Sequence, residues 1–234
     1  MTKVDVVVPA YNEEDVLSRS VGVLWDFLTQ HLPCSWQIVV ADNGSVDGTL
    51  AVARALSHQY PDVTYIHIEQ KGRGRALRKA WLESDADIVS YMDVDLSTKL
   101  DAFPGLINAL DEGYDIAIGS RLMAGSQVSR SVKREIISVG YNLLIKLMFF
   151  SSFSDAQCGF KAVKRDVVQQ LVPVIKDQEW FFDTELLLLA ERKGYRIKEV
   201  PVEWVEDADT RVNIARTAFD DVRGLLRLRF RPPF

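Results

Sequence analysis

The sequence predicts an α/β protein: an open, mostly parallel sheet with helices on both faces and a mixed C-terminal part. Three observations carry this. Short β-branched apolar runs alternate with helical patterns at intervals of roughly 25 residues over about the first 120. The runs are apolar at successive positions, as strands buried on both faces are. Residues suited to chemistry follow the ends of four of these runs, where open α/β sheets bind their ligands.

Val4 to Val8 reads as the first buried strand and stops at Pro9. Asn12-Glu13-Glu14 opens a helix with acidic residues in its first turn, and Leu17, Val21, Leu24 and Leu28 recur at helical spacing. Ile38 to Ala41 is the second strand. Asp42-Asn43-Gly44-Ser45 is a turn, and Asp47 caps a helix running to about His58. Val63 to Ile68 is the third strand, Gly72 to Ser84 a loop and helix, and Ile88 to Met92 the fourth strand, followed by Asp93-Val94-Asp95. Phe103 to Leu110 is helical and Ile116 to Gly119 is the fifth strand. Beyond it, Gln157 to Lys164 reads as a strand, Glu179 to Lys193 as a leucine-rich helix, and Arg196 to Val205 as a strand with Pro201 at an edge or bend.

Composition bounds the function. The chain has 234 residues, 47% hydrophobic and 26% charged, the balance of a folded protein. Its net charge of −5 argues against a general nucleic-acid binder. Cys34 and Cys158 stand far apart, which predicts reduced thiols, and His31, His58 and His67 form no HExxH pattern. The opening Met-Thr-Lys-Val-Asp does not predict a signal peptide. The longest apolar approach, Ile136 to Phe150, is broken by Ser138, Asn142 and Lys146, so no transmembrane helix is expected.

Asp93 and Asp95 form the first chemical constellation. Two carboxylates one residue apart at a strand end can both reach one hard cation, which would sit between them and phosphate oxygens. A solvated turn is the plainer reading, and the other loops converging on the same edge weigh against it. Asp42 ends a buried strand and can accept from a base N–H or a ribose hydroxyl, or make an Asx turn. Lys71-Gly72-Arg73-Gly74-Arg75 is basic and flexible, suited to phosphates or to plain solvation. It is neither GxGxxG, since position 77 is Leu77, nor a Walker A loop. Arg134, Ser138 and Asn142, spaced i, i+4, i+8, make one polar stripe on a helix that also carries Ile136, Ile137, Val139, Leu143, Leu144 and Leu147. Such a stripe suits a phosphate on a long apolar tail, or a core helix with one wet edge.

Taken jointly, Val8-Pro9-Ala10-Tyr11-Asn12-Glu13, Asp42-Asn43-Gly44-Ser45-Val46-Asp47-Gly48-Thr49, Lys71-Gly72-x-Gly74-x-Ala76-Leu77 and Asp93-Val94-Asp95-Leu96-Ser97 resemble the inverting family-two glycosyltransferases. Gly119-Ser120-Arg121, Arg134 with Ser138, and Asp155-Ala156-Gln157-Cys158-Gly159-Phe160-Lys161 are similar to the branch of dolichyl-phosphate mannose and glucose synthases. Phe182-Asp183-Thr184-Glu185-Leu186-Leu187 and Glu199-Val200-Pro201-Val202-x-Trp204 lean toward its glucose-transferring side. The resemblance spans about residues 4 to 213 and lacks the QxxRW signature of processive polysaccharide synthases.

The resemblance implies a Rossmann-like glycosyltransferase A fold over residues 1–213. It implies that Pro9, Tyr11, Glu13, Asp42, Lys71 and Asp93 hold the donor nucleotide, and that Asp93 and Asp95 hold Mg²⁺ or Mn²⁺ on its diphosphate. It further implies that Arg121, Arg134 and Ser138 hold the phosphate of a polyprenyl or dolichyl phosphate acceptor. The catalytic set is then Asp93, Asp95, Arg121 and Arg134. UDP-glucose is the first donor expected and GDP-mannose the second. Where the family often has two consecutive Asp in the second loop, this chain has Asn43, so Asp42 alone is carried over. A phosphate monoester is already anionic near neutral pH, so this acceptor needs no strong base. A glycan or small-molecule hydroxyl acceptor is the alternative. Asp155, Asp183 and Glu185 are expected either to orient the donor sugar or to serve as structural partners. Residues 214–234 form a basic amphipathic tail, with Arg216, Arg223, Arg227, Arg229 and Arg231 among Phe219, Val222, Leu225, Leu226 and Phe230, and Arg211 just before it. This pattern, set against Asp220 and Asp221, predicts an interfacial helix on a membrane surface and a protein peripheral to the cytoplasmic face, with a soluble, salt-bridged terminal helix as the alternative.

Overall fold

The computed structural model describes residues 2–206 and 214–234; Arg211 of the basic run lies outside the described residues. The chain runs β1 (Lys3–Ala10), α1 (Glu14–His31), β2 (Ser35–Asn43), α2 (Thr49–Gln59), β3 (Val63–Ile68), α3 (Arg73–Glu83), β4 (Ile88–Met92), α4 (Phe103–Asp111) and β5 (Ile116–Ser120). There follow β6 (Gln127–Ser129), α5 (Val132–Phe149), β7 (Phe160–Lys164), α6 (Arg165–Leu171), α7 (Phe182–Lys193), β8 (Ile197–Pro201), β9 (Glu203–Val205) and α8 (Ile214–Phe230).

Among the described residues the main sheet has seven strands in the order β3-β2-β1-β4-β7-β5-β8. All neighbours are parallel except β7, which runs antiparallel between β4 and β5. Both faces are covered, which explains the unbroken apolar runs. Val6, Val8, Ile38 and Val40 turn toward one core with Leu17, Leu24 and Phe103 of α1 and α4. Val7, Val39, Val89 and Tyr91 turn toward the other, with Leu77, Trp81 and Leu186 of α3 and α7 and Leu225 of α8. The period-2 alternation is thus between two apolar layers.

Three sequence expectations shift. Only Phe160–Lys164 of the segment 157–164 is strand, because Gln157 and Gly159 turn the chain into it. The long helix begins at Phe182. The expected strand 196–205 is two: β8 ends at Pro201 on the main sheet, and β9 pairs with β6 in a separate ribbon. Proline lacks the donor to continue the first ladder. Asp47 sits two residues before the start of α2 and makes an Asx turn, its Oδ1 accepting from the Thr49 amide at 3.0 Å.

Candidate active site

The loops after β1, β2, β3 and β4 meet at one edge of the sheet and are laced to one another. Asn12 N donates to Ser45 Oγ (3.0 Å), Val46 N to Asn12 Oδ1 (2.9 Å) and Glu13 N to Thr49 Oγ1 (2.8 Å), joining the first two loops. Asn12 adopts φ +56°, a conformation Asn tolerates. Asn43, the departure from the family pattern, accepts from Gly72 N at 2.7 Å and so ties the second loop to the third. Gly44 has φ +71°, and a Cβ there would stand 2.9 Å from Glu69 O, so the turn requires glycine.

Asp42 is fully buried at the end of β2. The parallel register sets it opposite His67, whose Nδ1 lies 2.5 Å from Asp42 Oδ2. Asp42 Oδ1 has no hydrogen-bond partner. A buried unsatisfied carboxylate oxygen is costly, and a donor from a ribose or a base would relieve it. Lys71 Nζ lies 3.8 Å over the ring of Tyr11, so the third loop reaches across to the first. Pro9 pairs in register with Ala41 on the floor of this cleft.

Asp93 and Asp95 follow β4. Asp95 is exposed, and its Oδ1 accepts from Ser97 N at 2.9 Å across a turn in which Leu96 takes φ +52°. Asp93 Oδ1 accepts from Arg73 Nη2 at 2.7 Å. The Asp93 side chain keeps 35% of its surface accessible. Burial nonetheless raises its carboxyl above the ordinary range, against the opposing pull of the Arg73 guanidinium. Each aspartate thus retains one oxygen not used by these contacts. No group of three or more acidic, His or Cys side chains able to hold a metal occurs among the described residues. A hard divalent cation would then complete its shell with phosphate oxygens and water, which suits Mg²⁺ or Mn²⁺ on a diphosphate.

Because β5 runs parallel to β4, Arg121 emerges at the same edge. Its Nε and Nη2 donate to Asp155 Oδ2 (2.7 Å) and Oδ1 (2.9 Å), and its amide donates to Asp155 Oδ2 (3.0 Å). Burial alone would raise the Asp155 carboxyl, but Arg121 outweighs it and holds the group below its usual range. The guanidinium also lies 5.5 Å from the ring centre of Trp204. Trp204 belongs to β9, which leans on the Asp95 loop through Val205 N to Ser97 O (2.9 Å) and Lys99 N to Glu203 O (2.9 Å). Just beyond β9, Glu206 Oε1 pairs with Arg134 Nε at 2.8 Å. One short strand therefore gathers the Asp95 loop, Arg121 and Arg134. Sequence reading missed this role for Trp204 and Glu206, although Trp204 stood within a quoted motif.

The polar stripe on α5 divides. Arg134 and Ser138 are partly exposed, but Asn142 is buried: its Nδ2 donates to Ser138 O (2.9 Å) and its Oδ1 accepts from Ala156 N (2.9 Å). Asn142 fastens α5 to the 155–157 turn. The three acids left open by the sequence all have structural partners. Asp155 holds Arg121; Asp183 takes Lys161 Nζ (3.0 Å) and the Tyr91 hydroxyl; Glu185 takes Arg227 and the Lys176 and Asp177 amides. Cys158 is buried, and burial pushes its thiol up to about 12, so it stays an inert thiol.

Residues 5–172 match the family described as Glycosyl transferase family 2. Glycosyltransferase AglD of Haloferax volcanii is 36% identical over 95% of this chain and 36% of its own length. Dolichyl-phosphate beta-glucosyltransferase of Drosophila melanogaster is 34% identical over 87% of this chain and 67% of its own. The chain thus spans about a third of the first of these relatives and about two thirds of the second. The crystal structure of glucosyl-3-phosphoglycerate synthase from Mycobacterium tuberculosis with UDP superposes with a TM-score of 0.69 at 22% identity, covering 96% of this chain and 79% of that one. That likeness gives the fold, a glycosyltransferase A fold. The chain belongs to glycosyl transferase family 2 and is similar to the dolichyl-phosphate glucosyltransferases.

Proposed function

We propose that this chain transfers a single hexose, with inversion, from a nucleotide sugar to a polyprenyl or dolichyl phosphate. UDP-glucose is the favoured donor and GDP-mannose the second. The observation that carries this reading is the similarity to dolichyl-phosphate beta-glucosyltransferases along most of the chain, joined to two arginines gathered beside the Asp93–Asp95 loop. Solved neighbours that hold UDP with Mn²⁺ or Mg²⁺ support a divalent cation and a uridine donor.

In this reading Asp42 receives a donor hydrogen from the nucleoside, with Pro9, Tyr11 and Glu13 around it and Lys71 closing over. Asp93 and Asp95 hold Mg²⁺ or Mn²⁺, which when bound stabilises charge on the departing diphosphate. Arg121, Arg134 and Ser138 receive the acceptor phosphate, which attacks as an anion, so positioning replaces a base. Arg121 already gives two donors to Asp155, and the remaining N–H groups of its fork are those an acceptor phosphate would use. Arg134 would exchange Glu206 for phosphate.

No helix among the described residues is long and apolar enough to cross a membrane. The outer faces of α5 and α8 nevertheless expose Val132, Ile136, Leu143, Leu147 and, on α8, Phe219, Val222, Leu226 and Phe230. With Lys133, Arg223, Arg229 and Arg231 nearby in sequence, these faces suit an anionic membrane surface, and we read the protein as peripheral to a cytoplasmic face. Residues 1–213 would be the catalytic unit. Helix α8, which follows that unit, is more than an appendage, since Leu225 and Leu228 are packed into the core.

The test is a donor screen with Mg²⁺ or Mn²⁺ and a short-chain polyprenyl phosphate in detergent, reading nucleoside diphosphate and glycolipid together. Glycolipid from one donor, lost in Asp95→Ala and Arg134→Ala, is the expected result. Nucleotide binding with no lipid product from any donor would sink the polyprenyl-phosphate reading.

A further inference from the structure

The start of α3 closes the glycine-rich loop after β3 and is tied to two other segments of the chain. Gly72 takes φ +154°, donates to Asn43 Oδ1, and has no room for a side chain, since a Cβ would stand 2.5 Å from Gln178 O. Gly74 N donates to Glu179 O (3.2 Å) and Arg75 N to Gln178 O (3.0 Å). These anchors flank Arg73 on both sides. Its side chain is 9% exposed, with the guanidinium 5.0 Å from the Tyr91 ring centre and 4.6 Å from that of Trp180. Nε has no partner, so the ion pair to Asp93 and the two aromatic faces are what hold the group.

The other side of the Asp93 carboxylate is also bounded. Asp93 N donates to Gly159 O at 3.3 Å, and a Cβ on Gly159 would lie 1.9 Å from Asp93 Oδ2 and 2.7 Å from Oδ1. The carboxylate therefore lies across the bare α-carbon of Gly159, and any side chain there would expel it. This approach exists because β7 inserts antiparallel beside β4, pairing Phe160 with Met92.

We propose that Arg73 is a positioning residue for Asp93: the guanidinium and the Gly159 backbone clamp the carboxylate so that one oxygen stays turned to a divalent cation. This rests on the reading that Asp93 and Asp95 hold that cation. A carboxylate with one oxygen in a fixed charge-assisted hydrogen bond loses its rotational freedom before the metal arrives. Partners of this kind behind a metal ligand typically change metal affinity by about 10–100-fold when removed. The planar fork stacked between two rings does this; a lysine in its place keeps the charge but neither the fork nor the stacking.

The experiment measures Mn²⁺ binding by electron paramagnetic resonance on the full chain with saturating UDP, or GDP if UDP does not bind. The variants are Arg73→Lys, Arg73→Gln and Trp180→Leu. Binding of the same nucleotide without metal is measured alongside. Both Arg73 variants should bind Mn²⁺ about 10–100-fold more weakly. Trp180→Leu, at a side chain 37% exposed, should fold normally and show a smaller loss in the same direction. Metal-free nucleotide binding should be unchanged in all three. Unchanged Mn²⁺ affinity overturns the positioning role, and tighter binding does so too, since it would mean that the guanidinium competes with the cation. If Arg73 variants do not fold, Trp180→Leu alone decides. A wild-type chain that binds nucleotide but no Mn²⁺ overturns the metal reading itself, a result distinct from equal binding by wild type and variants.

Discussion

Replacing Asp155 by asparagine tests whether Arg121 is held by charge or merely by packing. Asp155 is fully buried, and the Arg121 side chain is 14% exposed. The carboxylate accepts from Nε (2.7 Å), Nη2 (2.9 Å), the Arg121 amide (3.0 Å) and the Gln157 amide (3.2 Å). Two unit charges about 4 Å apart interact by about 4 kcal/mol at an effective dielectric constant of about 20. Removing one partner of a buried pair costs about 3–5 kcal/mol, so Asp155→Asn should lose that much by urea denaturation near pH 7. With native stabilities of about 5–15 kcal/mol the variant should remain folded. Its native carboxyl lies below the value near ~3.9 of an unfolded Asp. The stabilisation is therefore fully present above that unfolded value and fades as pH falls through the depressed native one. The deficit of Asp155→Asn should narrow correspondingly in acid. In a double-mutant cycle with Arg121→Met the coupling should fall between about 0.5 and 3 kcal/mol. A deficit under about 1 kcal/mol that does not change with pH, or a coupling near zero, would refute the argument from a charged pair.

Further outcomes follow from single environments. Burial pushes Asp221 up to about 7 on α8, where its Oδ2 accepts from Gln157 Nε2 at 2.8 Å. An unfolded Asp ionises near ~3.9, so between these values the native chain keeps a proton the unfolded chain has lost, and stability falls as pH rises through the window. Asp221→Asn should be more stable than wild type at pH 8 and lose that advantage near pH 4; an equal difference at both ends would exclude the mechanism. Gly119→Ala would bring a Cβ within 2.8 Å of Val202 Cγ1 and 3.2 Å of Cys158 Sγ, and thermal unfolding should show a cost of about 1–3 kcal/mol. Phe219→Glu with Phe230→Glu changes two side chains, 70% and 76% exposed, and should leave the melting temperature in place. Cosedimentation with phosphatidylglycerol vesicles should drop sharply, and undiminished binding would count against a membrane role for α8. These point changes are better than truncation before α8, which would also remove Leu225 and Leu228 from the core.

Much of the architecture was legible before any coordinates. The runs at Val63–Ile68 and Ile88–Met92 coincide with β3 and β4 residue for residue: β4 is central and buried at every position, whereas β3 lies at the sheet edge and its burial alternates. The loop motifs could be placed at one edge from strand order alone, since parallel strands joined by helices bring their carboxyl ends together. The division of the Arg196 to Val205 segment was signalled by Pro201, but the partner of each half was not. Asn142 fits helical spacing as well as Arg134 and Ser138 do, yet spacing does not reveal that the 155–157 turn lies beneath it.

By itself, then, the sequence determined the alternation of strands and helices, the two apolar layers, and the clustering of acidic, basic and glycine-rich loops, all set by periodicity over neighbouring residues. Only the tertiary structure decided who pairs with whom. Arg73 finds Asp93, Asp42 finds His67, Arg121 finds Asp155, and Gln157 finds Asp221. The antiparallel entry of β7 beside β4, which lays Gly159 against Asp93, is likewise a product of chain path. Such contacts join residues far apart along the chain. Their strength depends on burial and on a few tenths of an ångström, neither of which a local pattern encodes.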